Sequence, residues 1–165
     1  MNTAPTTKSV LTTLNLIYFS LVSVMASFGL IVLYLNYAGS LVTEADPGLT
    51  LLLRYVLFAL LPIGIGMGYF IFKQSLAPIN ASMSLKEKLF KYQNSLLIRS
   101  ACFELPGLMG SVAALITGDN SFLLFTAIVV VLFLLVRPTL YTLTSDLNLS
   151  ASERSILENP SAPLN

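Results

Sequence analysis

Histidine is absent from this 165-residue chain, and cysteine occurs once, as Cys102. Without histidine no Ser/His/Asp or Cys/His constellation can form, and one thiol builds neither an internal disulfide nor a Cys/His metal centre. No catalytic residue, no metal and no cofactor is therefore expected, and an enzyme is the least expected class. The only phosphate-loop lookalike, "GIGMG" at 64–68, lies inside an apolar run where a nucleotide would find no water. Cys102 reads as a small packing residue. Charge is scarce as well. Charged residues make up 10% of the chain, against about 25% in soluble domains. The net charge of +1 provides no basic field for nucleic acid.

What fills the space is hydrophobic: 55% of residues, with a mean hydropathy of +0.80. A hydrocarbon layer about 30 Å thick needs about 20 apolar residues of helix. Four segments qualify, at about 14–37, 49–72, 95–117 and 121–143. Backbone groups in lipid must be satisfied within their own segment, so such runs are helices; none alternates as a barrel strand would. The expected fold is all-α: a four-helix transmembrane bundle over 1–145, two helical hairpins joined by a basic loop, and a short tail over 146–165. The first apolar run is too long for a cleavable signal, whose core is roughly 7–15 residues.

The loops carry an orientation. The connection over 73–94 holds Lys73, Lys86, Lys88 and Lys91 against Glu87 alone, whereas the other two hold Glu44, Asp46 and Asp119 without lysine or arginine. The positive-inside rule then puts the basic loop and both termini in the cytoplasm of a bacterial inner membrane, and Lys8 and Arg137 agree. Ser84 stands three residues before Glu87, and Ser150 three before Glu153. Both are capping boxes, predicting a helix from Ser84 into the third span and a short tail helix that ends near Pro160. Its apolar contacts, Ile156 and Leu157, are expected to rest on the membrane or on the protein itself rather than to serve as a docking peptide.

Helical spacing sorts the faces. Ser100, Glu104, Gly107, Ser111 and Ala114 fall on one side of the third span, and small residues of this kind, with Gly110, permit close helix packing. Thr13, Ser20, Ser23, Ser27 and Tyr34 form a matching stripe on the first span, whose hydroxyls are expected to face Glu104. Gly64 and Gly68 form a GxxxG packing face on the second. Pro62 and Pro106 each remove a backbone donor and predict kinks, freeing the carbonyls of Phe58 and Cys102. The Cys102 carbonyl then either is simply tolerated or helps to hold a cation.

Glu104 is the one carboxylate deep in a span. Counted from Ser95 it lies about nine residues in, roughly 13 Å, near mid-bilayer. A charge there costs at least about 2.5–3.5 kcal/mol, so neighbouring helices or an oligomer seam should enclose it. Arg99 stands about 140° around the same helix and is expected to snorkel to the cytoplasmic interface. Arg54 near the opposite surface shows no evident partner, and Ser100 is placed to share a hydrogen bond with the acid. Two readings remain open, a hydrogen-bonded packing device and an ion or proton site at Glu104 and Ser100.

The segment "ACFELPGLMGSVAAL" resembles the carboxylate-bearing helix of the rotary ATP synthase proteolipid, subunit c, through Ala101, Glu104, Gly110 and Ala114. That resemblance implies that Glu104 binds and releases a proton or cation within an oligomer. Across nearly its whole length, through "SLKEKL", "LIRSACFELPG" and "RPTLYTLTSDLNLS", the chain resembles an uncharacterised family of four-span bacterial inner-membrane proteins. This second likeness implies topology alone. The expected partners are the lipid bilayer and a homo-oligomer or larger membrane complex. The expected role is a non-enzymatic subunit or scaffold, with ion translocation through Glu104 as the alternative.

Overall fold

A computed structural model of the chain describes residues 7–40, 46–80 and 82–159. Among them every regular element is helical. Three long helices, α1 (Thr7–Tyr37), α2 (Pro47–Leu76) and α3 (Leu85–Thr117), are each long and apolar enough to cross a membrane. A 3₁₀ turn (Asn120–Phe122) leads into α4 (Leu123–Leu135), followed by two short helices, α5 (Leu140–Asp146) and α6 (Ala151–Glu158). Three helices, or four with α4 and α5 counted as one broken span, are thus long and apolar enough to cross, and these are the helices of a multi-pass membrane protein.

Local chemistry sets the boundaries. The Asp46 side chain accepts the Gly48 amide at 3.0 Å and Pro47 opens α2, where its missing N–H has no intrahelical partner to lose. Ser84 and Glu87 form the expected capping box at the start of α3, and helix continues unbroken through Pro106. The α3 C-terminus is closed by Gly118 at φ 70°, a left-handed position that suits glycine, and Asp119 caps the next turn through the Ser121 amide at 2.9 Å.

The fourth span differs from the expected 121–143. Helix stops at Leu135, and α5 leaves at 79° to it. Pro138 accounts for the break: it has no N–H for the Leu134 carbonyl, and Thr139 begins a new helix in a reciprocal cap with Thr142. The ends this exposes are satisfied from neighbouring helices. Tyr18 donates its hydroxyl to the Phe133 carbonyl at 2.7 Å, and Arg99 donates to the Val136 carbonyl at 3.2 Å.

The bundle is built around α3, which packs against α1, α2 and α4; α1 also meets α4, whereas α2 rests chiefly on α3. A Cβ built on Gly64 would come 2.8 Å from the Cys102 carbonyl oxygen, and one on Gly68 would come 2.7 Å from the Phe103 ring. The carbonyl released by Pro106 therefore lies against the α2 backbone at Gly64. On the other side of α3, Gly107 abuts Met25 and Val129, and Gly110 faces the Phe122 carbonyl. Thr126 bridges the two strips, bonding the Ser111 hydroxyl at 2.9 Å and donating to the Gly107 carbonyl at 2.6 Å. Such interhelical bonds contribute about 0.6–2 kcal/mol each in a membrane.

The tail folds back on the protein. The Ser150–Glu153 capping box starts α6, whose Leu157 is buried in the core shared with α1, α3 and α5, while Ile156 faces outward. Lys88 Nζ, itself buried, meets Glu153 Oε1 at 2.6 Å. Glu44 and Pro160 lie outside the described residues.

Candidate functional site

The small stripe of α3 divides. Ser100, Gly107, Gly110, Ser111 and Ala114 are buried, but Glu104 is only half-buried, at the margin of the α1–α3 seam. Its neighbours Ala101 and Leu105 are exposed, and Ser100 and Leu97, one and two turns earlier on the same face, line a narrow crevice against Leu14, Tyr18 and Leu21 of α1. Among the described residues Glu104 makes no hydrogen bond or ion pair, and the bond expected from Ser100 does not form. Nor does Ser20, Ser23, Ser27 or Tyr34 of the α1 stripe hydrogen-bond to it. Ser20, Ser23, Ser27 and Tyr34 are exposed, and Ser20 donates to its own Leu16 carbonyl at 2.8 Å. The correction has a simple cause. Helix α1 buries the Leu14, Tyr18, Val22, Met25 and Val32 face, which turns its hydroxyl stripe outward.

Arg99 is the residue that sequence reasoning misplaced most. It is 5% exposed, with its guanidinium 4.2 Å from the Phe72 ring centroid and 5.8 Å from that of Tyr69. Rather than reaching for headgroups, it sits at the C-terminal end of α4, where the helix dipole and unpaired carbonyls favour a cation. A flat guanidinium suits this place because it lies over the rings and donates at once. The Asp146 carboxylate on α5 lies within electrostatic reach of Arg99 and Lys73, and the Tyr92 hydroxyl lies against Thr142 and Asp146. Below them opens a pocket of about 430 Å³ between the end of α2 and α5, with Phe72 and Lys73 on one wall and Ser145, Asp146 and Asn148 on the other. Nothing in local sequence points to it, because its walls meet only through the bend at Pro138.

At the opposite end Arg54 does have a partner. It pairs with Asp119 at 2.8 Å, reaches the Ser121 hydroxyl at 3.2 Å and stands over the Phe122 ring. Burial alone would push the Asp119 carboxyl up; the Ser121 amide and hydroxyl and the Arg54 guanidinium outweigh it and hold it below the usual range. Both side chains are partly solvent-exposed, so the pair fixes geometry more than it stabilises.

Among the described residues no group of three or more Cys, Asp and Glu side chains is close enough to hold a metal ion. No family model, curated protein or solved structure matches this chain.

Proposed function

We propose that the chain is a non-enzymatic subunit or small scaffold of a bacterial inner membrane, with both termini and the α2–α3 connection in the cytoplasm, and that Glu104 meets a helix of a neighbouring subunit. One observation carries this reading: a carboxyl within an apolar span, half-exposed and without a polar partner among the described residues. Left against lipid, its charged form would cost at least about 2.5–3.5 kcal/mol, and a neighbouring helix that supplies a donor offsets this. The outward hydroxyls of Ser20, Ser23 and Ser27 present more hydrogen-bonding groups to such a neighbour. The lysines of the α2–α3 connection support the orientation.

The expected result in mild detergent is a homo-oligomer or a complex with a stoichiometric partner. Glu104→Lys should break it, because the longer cation cannot take the same bond, and Glu104→Gln should keep it. Light scattering checks both. A wild-type chain that runs as a stable monomer, indistinguishable from Glu104→Lys, removes the proposal.

A second reading is favoured by the same solitary acid: with no cation paired to it among the described residues, Glu104 would take up and release a proton at the seam. Proteoliposomes holding wild type should then collapse an imposed proton gradient faster than those holding Glu104→Gln. Equal rates discard this reading and leave the first untouched.

A further inference from the structure

We propose that the pocket between the end of α2 and α5 binds the headgroup of a zwitterionic aminophospholipid, its phosphate against Lys73 and its primary ammonium against Asp146. The inference rests on the membrane reading above, but not on Glu104 or on any oligomer.

The pocket carries opposite charges on facing walls that do not neutralise one another. Lys73 closes no ion pair with Asp146; among the described residues the ion pairs are Arg54–Asp119, Lys88–Glu153 and Arg154–Glu158. Lys73 and Asp146 nonetheless sense each other across the opening; Asp146, which already meets the Tyr92 hydroxyl, keeps further acceptor sites for a ligand cation, while Lys73 takes the ligand anion. Arg99, buried behind Phe72 and outside the pocket lining, acts on Asp146 and helps to keep that carboxylate charged, and the Ser145 hydroxyl and Asn148 side chain border the same wall.

Depth selects a headgroup over an acyl chain. Phe72 stacks on Arg99 at the level where α4 ends, and Lys73 follows directly, so the pocket lies at the edge of the apolar layer. Leu76, Ile79 and Leu147 line its apolar part. Asp146 gives chemical selectivity. A primary ammonium donates charge-assisted hydrogen bonds to a carboxylate, which a quaternary ammonium cannot do. A purely anionic headgroup would leave Asp146 facing a second negative charge.

The test is native mass spectrometry of the full chain in detergent with phosphatidylethanolamine, phosphatidylcholine and phosphatidylglycerol of identical acyl chains. Retention of the ethanolamine lipid should exceed the other two by about tenfold, the ratio that one good charge-assisted bond supplies. Asp146→Asn should abolish the preference over the choline lipid, and Lys73→Gln should lower retention of ethanolamine and choline lipids alike. Equal retention of all three lipids by wild type, or a preference that survives Asp146→Asn, overturns the proposal. Should Asp146→Asn lower the melting temperature, the wild-type preference decides alone. Glu104→Gln should leave that preference unchanged, which separates this result from the fate of the subunit reading.

Discussion

Glu153→Ala is expected to detach α6 from the bundle. The Lys88 side chain is 4% exposed, and the Glu153 carboxylate at 2.6 Å is its counter-charge. Removing one partner of a buried pair costs about 3–5 kcal/mol, because the remaining charge is left without compensation. An eight-residue helix has no independent stability to set against that, so the tail leaves instead of enduring the penalty. Tryptic cleavage at Arg154 should accelerate at least about a hundredfold, the factor corresponding to roughly 3 kcal/mol. The double variant Lys88→Met/Glu153→Met should restore protection, since an apolar pair of similar volume is tolerated where a lone charge is not. Unchanged cleavage in Glu153→Ala would show that Leu157 alone holds the tail.

The same contact gives the docking a pH dependence of definite sign. Burial pushes the Glu153 carboxyl up, but the Lys88 ammonium and the Ser150 amide and hydroxyl outweigh it and hold it below the ordinary value. A carboxyl depressed in the folded state contributes stability that is complete above the unfolded value, about 4.3, and lost as pH falls through the folded one. A spin label at the exposed Ser155 should therefore stay immobile at neutral pH and become mobile only in acid below that value.

Gly64→Leu is expected to be the most disruptive single substitution within the membrane. Even a methyl group there would approach the Cys102 carbonyl oxygen to 2.8 Å, and a backbone atom in mid-helix cannot move aside. Gly68 one turn on meets Phe103, whose ring is itself held between Tyr69 and Phe133. Because α2 rests chiefly on α3, forcing this crossing apart loosens the whole helix. Overpacking by a single group typically costs about 1–3 kcal/mol, and leucine should exceed that range here. Gly66 is the internal control: nothing lies within 4 Å of a Cβ built there, so Gly66→Ala should be neutral or stabilising by up to about 1 kcal/mol through helix propensity. Cys102, the lone thiol, reports the separation. Its maleimide labelling should speed up in Gly64→Leu and stay at the wild-type rate in Gly66→Ala; equal rates in all three would show that the crossing is not tight.

Much of this architecture is legible along the chain. Spans α1 to α3 follow from hydropathy, which sums over consecutive residues, and the Ser84 and Ser150 caps act within one turn. The Gly64 and Gly68 spacing marks a close face on α2 because helical periodicity alone puts the two glycines together. The end of α4 was misread for the same reason that the others were read well: a hydropathy window runs on past Pro138, whereas the missing N–H stops the helix at one point.

The candidate site was less legible. Arg99 reads as an interfacial cation until Phe72 and Tyr69 are known to flank it, and Lys88 reads as a loop charge until Glu153, 65 positions on, closes over it. The α1 hydroxyl stripe has the right period for a partner of Glu104, yet it faces outward. Composition and short-range pattern by themselves determined that the chain is helical, apolar enough to cross a membrane several times, and where most helices begin. Only the tertiary structure decided how each helix is rotated, which charges are matched and that Glu104 stands at the margin. Rotation about a helix axis changes no local bond, so it is settled by contacts between segments far apart in the chain.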